Sequence, residues 1–228
     1  MMKSLPVSLT KKQRILGWIW WAFQLLLLPL LLAVGNQYLP SPLSEAKQNF
    51  VFFCVNFAGI TVLEGSFILA SFRQGLRSLL RTLQAAFFGL AMYHLVNLLL
   101  SFAINRFFPD YVNLNDNSLA LMIQQEPTLM GVGIIVLVPI TEELLYRGII
   151  FGSIYEKNRF LGYAISAALF SLVHFIGYMP DPLTFVISFV LYLPAGLCLA
   201  WAYQRSGSIL APILMHIAIN QMGLQVLR

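Results

Sequence analysis

Residues 128–155, TLMGVGIIVLVPITEELLYRGIIFGSIY, are apolar over most of their length and are interrupted by Pro139, Glu142, Glu143 and Arg147. A helix of about 20 residues crosses the hydrocarbon core of a bilayer, which is about 30 Å thick. This run is longer than one span requires, so the sequence predicts a membrane helix that kinks at Pro139 or extends beyond the bilayer. Each charge near the bilayer centre costs about 2.5 to 3.5 kcal/mol, so we expect the three charged side chains to depend on one another.

The rest of the chain repeats this apolar pattern. Of its 228 residues, 59% are hydrophobic and 10% are charged, and the mean hydropathy is +0.78. Because an unpaired backbone cannot persist in lipid, we interpret the apolar runs as helices. The composition excludes a soluble domain and predicts an all-α, polytopic transmembrane helical bundle with about seven spans. The predicted spans are residues 15–35, 49–71, 83–105, 128–155, 160–178, 183–203 and 209–226. Residues 1–127 would then hold three spans and an outer loop, and residues 128–228 would hold four spans.

The Lys and Arg residues predict the orientation of this bundle. Cytoplasmic loops of membrane proteins are enriched in these residues. If the N-terminus is cytoplasmic, ten Lys and Arg residues lie on that side and three lie outside, so we expect an N-in, C-out topology. The inner set is Lys3, Lys11, Lys12, Arg14, Arg73, Arg77, Arg81, Lys157, Arg159 and Arg205, and the outer set is Lys47, Arg106 and Arg228. The net charge of +5 is explained by these loops, and no nucleic-acid partner is predicted.

The three charges in the fourth span predict two different roles. Glu143 and Arg147 are four residues apart on a helix, so an ion pair between them would offset part of the cost of burial. Glu142 points about 100° away from Glu143 and is left free to act. Glu64 and His94, in the second and third spans, could pair with each other or line a substrate path.

Polar side chains in two later spans can complete a site around Glu142. His174 lies in the fifth span, and His216 and Asn220 lie one turn apart on the seventh. A carboxylate, two imidazoles and an amide from three helices can surround a water molecule. Peptide hydrolysis needs such a set, because a carboxylate takes a proton from water while donors stabilise the charge on the carbonyl oxygen.

Three motifs on these spans resemble the CPBP intramembrane proteases, which include type II CAAX prenyl endopeptidases and bacterial bacteriocin-processing or immunity proteins. Residues 142–147 fit the EExxxR motif of that family. Phe170 and His174 fit FxxxH, and His216 and Asn220 fit HxxxN. The resemblance extends over the last four spans, which it identifies as the catalytic core.

The resemblance implies an intramembrane endopeptidase in the plasma membrane of a bacterium. Its substrate would be a membrane-associated or prenylated peptide or protein, with membrane lipid as the other partner. Glu142 and His174 would activate the attacking water. His216 and Asn220 would stabilise the oxyanion, and the predicted ion pair would shape and orient the site.

A metal requirement and two other functions stay open. Glu142, His174 and His216 could hold Zn²⁺, which lowers the pKa of bound water. Because the chain lacks HExxH and each candidate ligand stands on its own helix, metal-independent chemistry is favoured. The alternatives are a proton-coupled transporter, because buried Glu and His residues also build proton relays, and a non-catalytic immunity or scaffold protein.

Overall fold

The computed structural model describes residues 5–227, apart from the side chains of residues 176, 226 and 227. This part of the chain is helical and contains no strand, so the predicted all-α fold is confirmed. Lys3 and Arg228 lie outside the described residues. The helices are α1 (Lys11–Leu26), α2 (Leu28–Gln37), α3 (Glu45–Arg77), α4 (Leu79–Phe107), α5 (Leu114–Gln125), α6 (Pro127–Tyr155), α7 (Arg159–Val173), α8 (Pro182–Ser206) and α9 (Leu210–Leu227).

The lengths and compositions of these helices are those of an integral membrane protein. Among the described residues, α3, α4, α6 and α8 are each long and apolar enough to cross a bilayer. α1 and α2 meet at a 43° bend and add a fifth span if they act together. α7 is a shorter apolar helix. The number of seven spans and the N-in orientation stay predictions.

Polar residues at the helix starts explain where several helices begin. Each of these side chains accepts a hydrogen bond from a backbone N–H of the first turn, which has no partner within the helix. These capping residues are Thr10, Ser44, Asn113, Asn158 and Asp181. At the other end of α8, Gly207 adopts a left-handed conformation with φ of 74°, which glycine tolerates without steric cost.

α6 is continuous but not a regular α-helix. Residues Gly133–Leu137 and Glu143–Phe151 form π-helical stretches on either side of Pro139. π-Helical segments are rare and occur often at functional sites. All residues of the second stretch are buried, so this half of α6 forms the centre of the bundle.

Two neighbouring helices pack closely around that centre. A Cβ atom added at Gly196 of α8 would lie 2.8 Å from the Cα of Ala167 on α7. Only a residue without a side chain permits this approach, and Ala200, one turn further along α8, is also fully buried. The close contact brings the α8 backbone within reach of α6 side chains.

Candidate active site

The predicted ion pair between Glu143 and Arg147 is present at the centre of the bundle. Arg147 Nη1 donates to Glu143 Oε1 at 3.1 Å, and both side chains are 0% exposed. Arg147 Nη2 also donates to the carbonyl of Gly196 at 3.2 Å, and the guanidinium lies 4.2 Å from the centre of the Phe170 ring. Arg147 therefore joins α6 to both α7 and α8.

His216 lies between the two glutamates. Its Nδ1 is 2.8 Å from Glu143 Oε1, and because an ionised carboxylate only accepts hydrogen bonds, Nδ1 carries a hydrogen. The other ring nitrogen, Nε2, is 3.8 Å from Glu142 Oε2. That distance is too long for a direct hydrogen bond and leaves room for a shared hydrogen-bonding partner.

Glu142 is placed differently from Glu143. Its side chain keeps 20% of its surface exposed, whereas that of Glu143 keeps none. Glu142 Oε2 is itself buried, and it has no hydrogen-bond partner within residues 5–227. A buried carboxylate oxygen without a partner is costly, so a hydrogen-bond donor brought to this oxygen would stabilise it.

His174 is held by the carbonyl one turn before it. Its Nδ1 lies 2.7 Å from the Phe170 carbonyl oxygen, an acceptor, so Nδ1 carries the hydrogen and Nε2 of the neutral ring is an acceptor. α7 ends at Val173, and His174 caps it. The ring stacks on Tyr192 of α8, with centroids 4.3 Å apart. Phe170 therefore fixes His174 through its carbonyl and contacts Arg147 through its ring.

Asn220 is anchored by an irregularity of α6. Its Nδ2 donates to the Ile134 carbonyl at 2.8 Å. In a π-helical stretch this carbonyl would pair with the residue five positions later, which is Pro139 and has no N–H. The proline thus frees the carbonyl that holds Asn220, and the rest of the amide stays available.

A cavity of about 680 Å³ brings Glu142, His174, His216 and Asn220 together. Glu143 and Arg147 are not in its wall and lie behind it as supports. Side chains of α1, α3, α4 and α5 complete the lining. Those from the N-terminal region include Gln24, Asn49, Phe52, Asn56, His94, Asn97 and Ser101. The N-terminal spans thus form part of the same cavity as the motif residues.

Tyr192 of α8 is hydrogen-bonded to residues at the start of α5, and no sequence pattern predicted this contact. The Tyr192 hydroxyl accepts from Asn115 Nδ2 at 3.2 Å and lies 3.1 Å from Asn113 Oδ1 and 3.3 Å from Asp116 Oδ1, either of which can accept its hydrogen. Burial raises the pKa of Asp116, and the hydrogen bonds from Tyr192 and Asn115 oppose that rise. The polar residues at 113, 115 and 116 were the sequence feature that could have indicated a role for this segment in the site.

Of the two alternatives predicted for Glu64 and His94, pairing with each other is wrong for the described residues. His94 lines the cavity, whereas Glu64 is fully buried outside its wall. Within the described part of the chain, neither carboxylate oxygen of Glu64 has a hydrogen-bond partner, and His94 Nε2 has none.

The residues at the site do not form a recognisable metal centre. Within residues 5–227, no group of three or more His, Cys, Asp or Glu side chains is arranged to hold a metal ion. His174 and His216 each hydrogen-bond a protein acceptor through Nδ1, an arrangement that metal-binding histidines also show.

Comparisons with known proteins agree with the motifs. Residues 124–222 match the model of the family described as "Type II CAAX prenyl endopeptidase Rce1-like". The chain is 35% identical over 107 residues to "Putative membrane peptidase YdiL" of Bacillus subtilis (strain 168). It is 33% identical over 90 residues to "UPF0177 protein YxdF" of Lactococcus lactis subsp. lactis (strain IL1403).

The family match falls on the region of the motifs, and the two relatives match over part of their length. These two matches cover 46% and 39% of this chain, and 40% and 44% of the two relatives. No solved structure matches the chain. The resemblance to the CPBP family is confirmed for the region that carries the three motifs.

Proposed function

We propose that this chain, whose residues 124–222 match the Rce1-like family, is an intramembrane endopeptidase that hydrolyses a peptide bond in its central cavity. The observation that carries the proposal is the arrangement of Glu142. Its unpartnered carboxylate oxygen faces His216 Nε2 at 3.8 Å, in a cavity that His174 and Asn220 also line.

In the proposed reaction, Glu142 and His174 bind the attacking water. Glu142 accepts a proton from this water, and the oxygen of the water bonds to the carbonyl carbon of the substrate. The carbonyl oxygen becomes an oxyanion, which accepts hydrogen bonds from His216 and Asn220. The proton on Glu142 then passes to the leaving amide nitrogen as the carbon–nitrogen bond breaks, and Glu142 regains its negative charge.

The charges around the site suit this sequence of steps. With both glutamates ionised and with Arg147 and His216 cationic, the four groups sum to zero. When Glu142 accepts the proton, it becomes neutral while the oxyanion gains a negative charge. The net charge of the four groups and the oxyanion together is therefore still zero. In the proposed reaction His216 acts in its doubly protonated form: Glu143 accepts from its Nδ1, and its Nε2–H donates to the oxyanion. Such pre-placed donors account for about 10²- to 10³-fold in rate each.

The lining of the cavity suits a polypeptide substrate. Asn49, Asn97, Asn115 and Asn220 are part of the wall, and those at 49, 115 and 220 each use one amide hydrogen in a bond to the protein and keep the second. An amide offers both a donor and an acceptor and can pair with the peptide groups of an extended chain. Aromatic and aliphatic side chains supply the rest of the wall and would contact apolar side chains of the substrate.

The test is a comparison of membrane peptides from cells that carry wild-type protein or Glu142→Gln. A matched control is Glu156→Gln, which makes the same chemical change at an exposed position outside the cavity. We expect peptides with new termini in wild-type and Glu156→Gln cells and their loss in Glu142→Gln cells. The same peptides in all three strains would remove Glu142 from the reaction.

A further inference from the structure

The cavity lies toward one end of the helix bundle. Its wall is formed by the first turns of α3, the second half of α4, most of α5, the middle of α6 and α8, the end of α7, the C-terminal part of α9 and the junction of α1 with α2. Polar contacts join helix ends on this side to one another. Lys47 at the start of α3 pairs with Glu126 at 3.2 Å, and Tyr111 lies 3.0 Å from Ser188 of α8. We call this the cavity end of the molecule.

Basic side chains concentrate at the opposite end. Arg81 Nε donates to the Arg205 carbonyl at 2.7 Å, which joins the start of α4 to the end of α8. Ser208 Oγ donates to the Ser71 carbonyl at 2.6 Å and ties the end of α3 to the start of α9. The helix ends on this side also carry Lys11, Lys12, Arg14, Arg73, Arg77, Lys157 and Arg159. We call this the basic end.

The charge difference between the two ends sets the orientation. Short loops rich in Lys and Arg stay on the cytoplasmic side, so the basic end is cytoplasmic. At the cavity end, Arg106 lies in the last turn of α4 and Lys47 is paired with an acidic partner, so this end has two described cations against nine at the basic end. The charged residues of the cavity wall are Asp116 and Glu142, and the described lining contains no Lys or Arg. The cavity end is therefore the outer end.

We propose that the cavity is entered from the non-cytoplasmic half of the bilayer, and that its substrate is an internal segment of a polypeptide exposed on that side. The inference rests on the endopeptidase function proposed above. A free terminal carboxylate would lie in a wall that contains the carboxylates of Asp116 and Glu142, and the described wall has no Lys or Arg to pair with it. A prenylated C-terminus at the cytoplasmic face would approach the wrong end of the molecule.

Cysteine labelling in intact bacterial cells tests the orientation without any need for activity. In a Cys54→Ser/Cys198→Ala background, single cysteines are placed by Asn117→Cys, which is exposed on α5, and by Lys157→Cys, which is exposed at the basic end. We expect a membrane-impermeant maleimide to label the first at least 10-fold more than the second, and both equally after lysis. The reverse pattern would overturn the proposal. If the cysteine-free variant does not fold, a protease site is inserted after residue 117 or 157 of the wild-type chain. Protease added outside intact cells should then cut at the first site and not at the second.

Two further measurements separate this inference from the proposed function. Ser101→Cys, within the cavity wall, should react with a small impermeant thiol reagent from outside the cell, and protection of this residue would overturn entry from that side.

The peptides lost in Glu142→Gln cells should map to non-cytoplasmic segments. If they map to cytoplasmic segments, the endopeptidase function stands and the inferred side of entry is wrong. If labelling agrees and no peptide changes, the endopeptidase function fails and the inferred substrate fails with it, while the orientation stands.

Discussion

At the residue scale, adjacent glutamates have different partners. Glu143 is fully buried and bonded to both Arg147 and His216, whereas Glu142 retains an unpartnered oxygen at the cavity. One glutamate can therefore fix the site while its neighbour acts on water. A local rotation of about 100° along the helix separates these two roles.

Removal of one member of the buried pair should be destabilising. Glu143→Gln leaves Arg147 without its carboxylate in an apolar interior, which costs about 3 to 5 kcal/mol. We expect a loss of that size in the free energy of unfolding in detergent. The double variant Glu143→Gln/Arg147→Met should recover part of it, since no charge is then left unpaired. Equal stability of the single variant and the wild type would contradict the role of this pair.

The histidines predict how the protein responds to a chelator. The described residues bring no three metal-binding side chains together, and the proposed reaction needs only Glu142 and His174 to bind the attacking water. We expect dialysis against a strong chelator to leave the cleavage rate unchanged, as measured on a peptide identified in cells. Loss of cleavage that added Zn²⁺ restores would show that the metal-independent mechanism is wrong.

At the element scale, the contact between α7 and α8 positions Arg147. Gly196→Ala would place a methyl group 2.8 Å from the Ala167 Cα and force the helices apart, at a cost of about 1 to 3 kcal/mol. The Gly196 carbonyl that accepts from Arg147 would move with them, so cleavage should fall as well. Gly65→Ala is the control, because its added methyl group meets open space. Equal unfolding free energies for the two variants would contradict this packing argument.

α5 is held over the cavity by Tyr192. Tyr192→Phe keeps the ring that stacks on His174 and deletes the hydroxyl that contacts α5. Loss of a neutral hydrogen bond costs about 0.5 to 1.5 kcal/mol, so amide exchange in α5 should become roughly 2- to 13-fold faster. Tyr192→Leu should also lower cleavage, because His174 loses its stacking partner. Unchanged exchange in both variants would show that α5 is fixed by other contacts.

The sequence predicted the helices and the local pairs more completely than the cavity. Apolar runs identify the helices because lipid demands internal backbone pairing, and the i, i+4 spacing of Glu143 and Arg147 is sufficient to predict their ion pair. The role of Tyr192 depends on how α8 is rotated against α5 and α7. No local pattern contains that rotation. The acceptor for Asn220 likewise depends on the π-helical register before Pro139.

At the scale of the whole molecule, the first three spans and the motif-bearing spans act together. The motifs lie on α6, α7 and α9, yet the cavity wall also includes Asn56 of α3 and His94 and Asn97 of α4. The N-terminal region carries no motif, so the sequence did not indicate that its side chains line the cavity. Under the proposed function, this region would contact the substrate beside the motif residues.

The most direct test is cleavage in water labelled with oxygen-18. Purified wild-type, Glu142→Gln and Glu156→Gln proteins in liposomes are incubated with a peptide identified in cells, and new C-termini are analysed by mass spectrometry. We expect one labelled oxygen in each new terminal carboxyl with wild-type and Glu156→Gln protein. For Glu142→Gln we expect a rate lower by about 10²- to 10⁴-fold, the usual contribution of a general base. Equal cleavage by all three proteins, or none by the wild type, would contradict the claim that Glu142 activates water in this cavity.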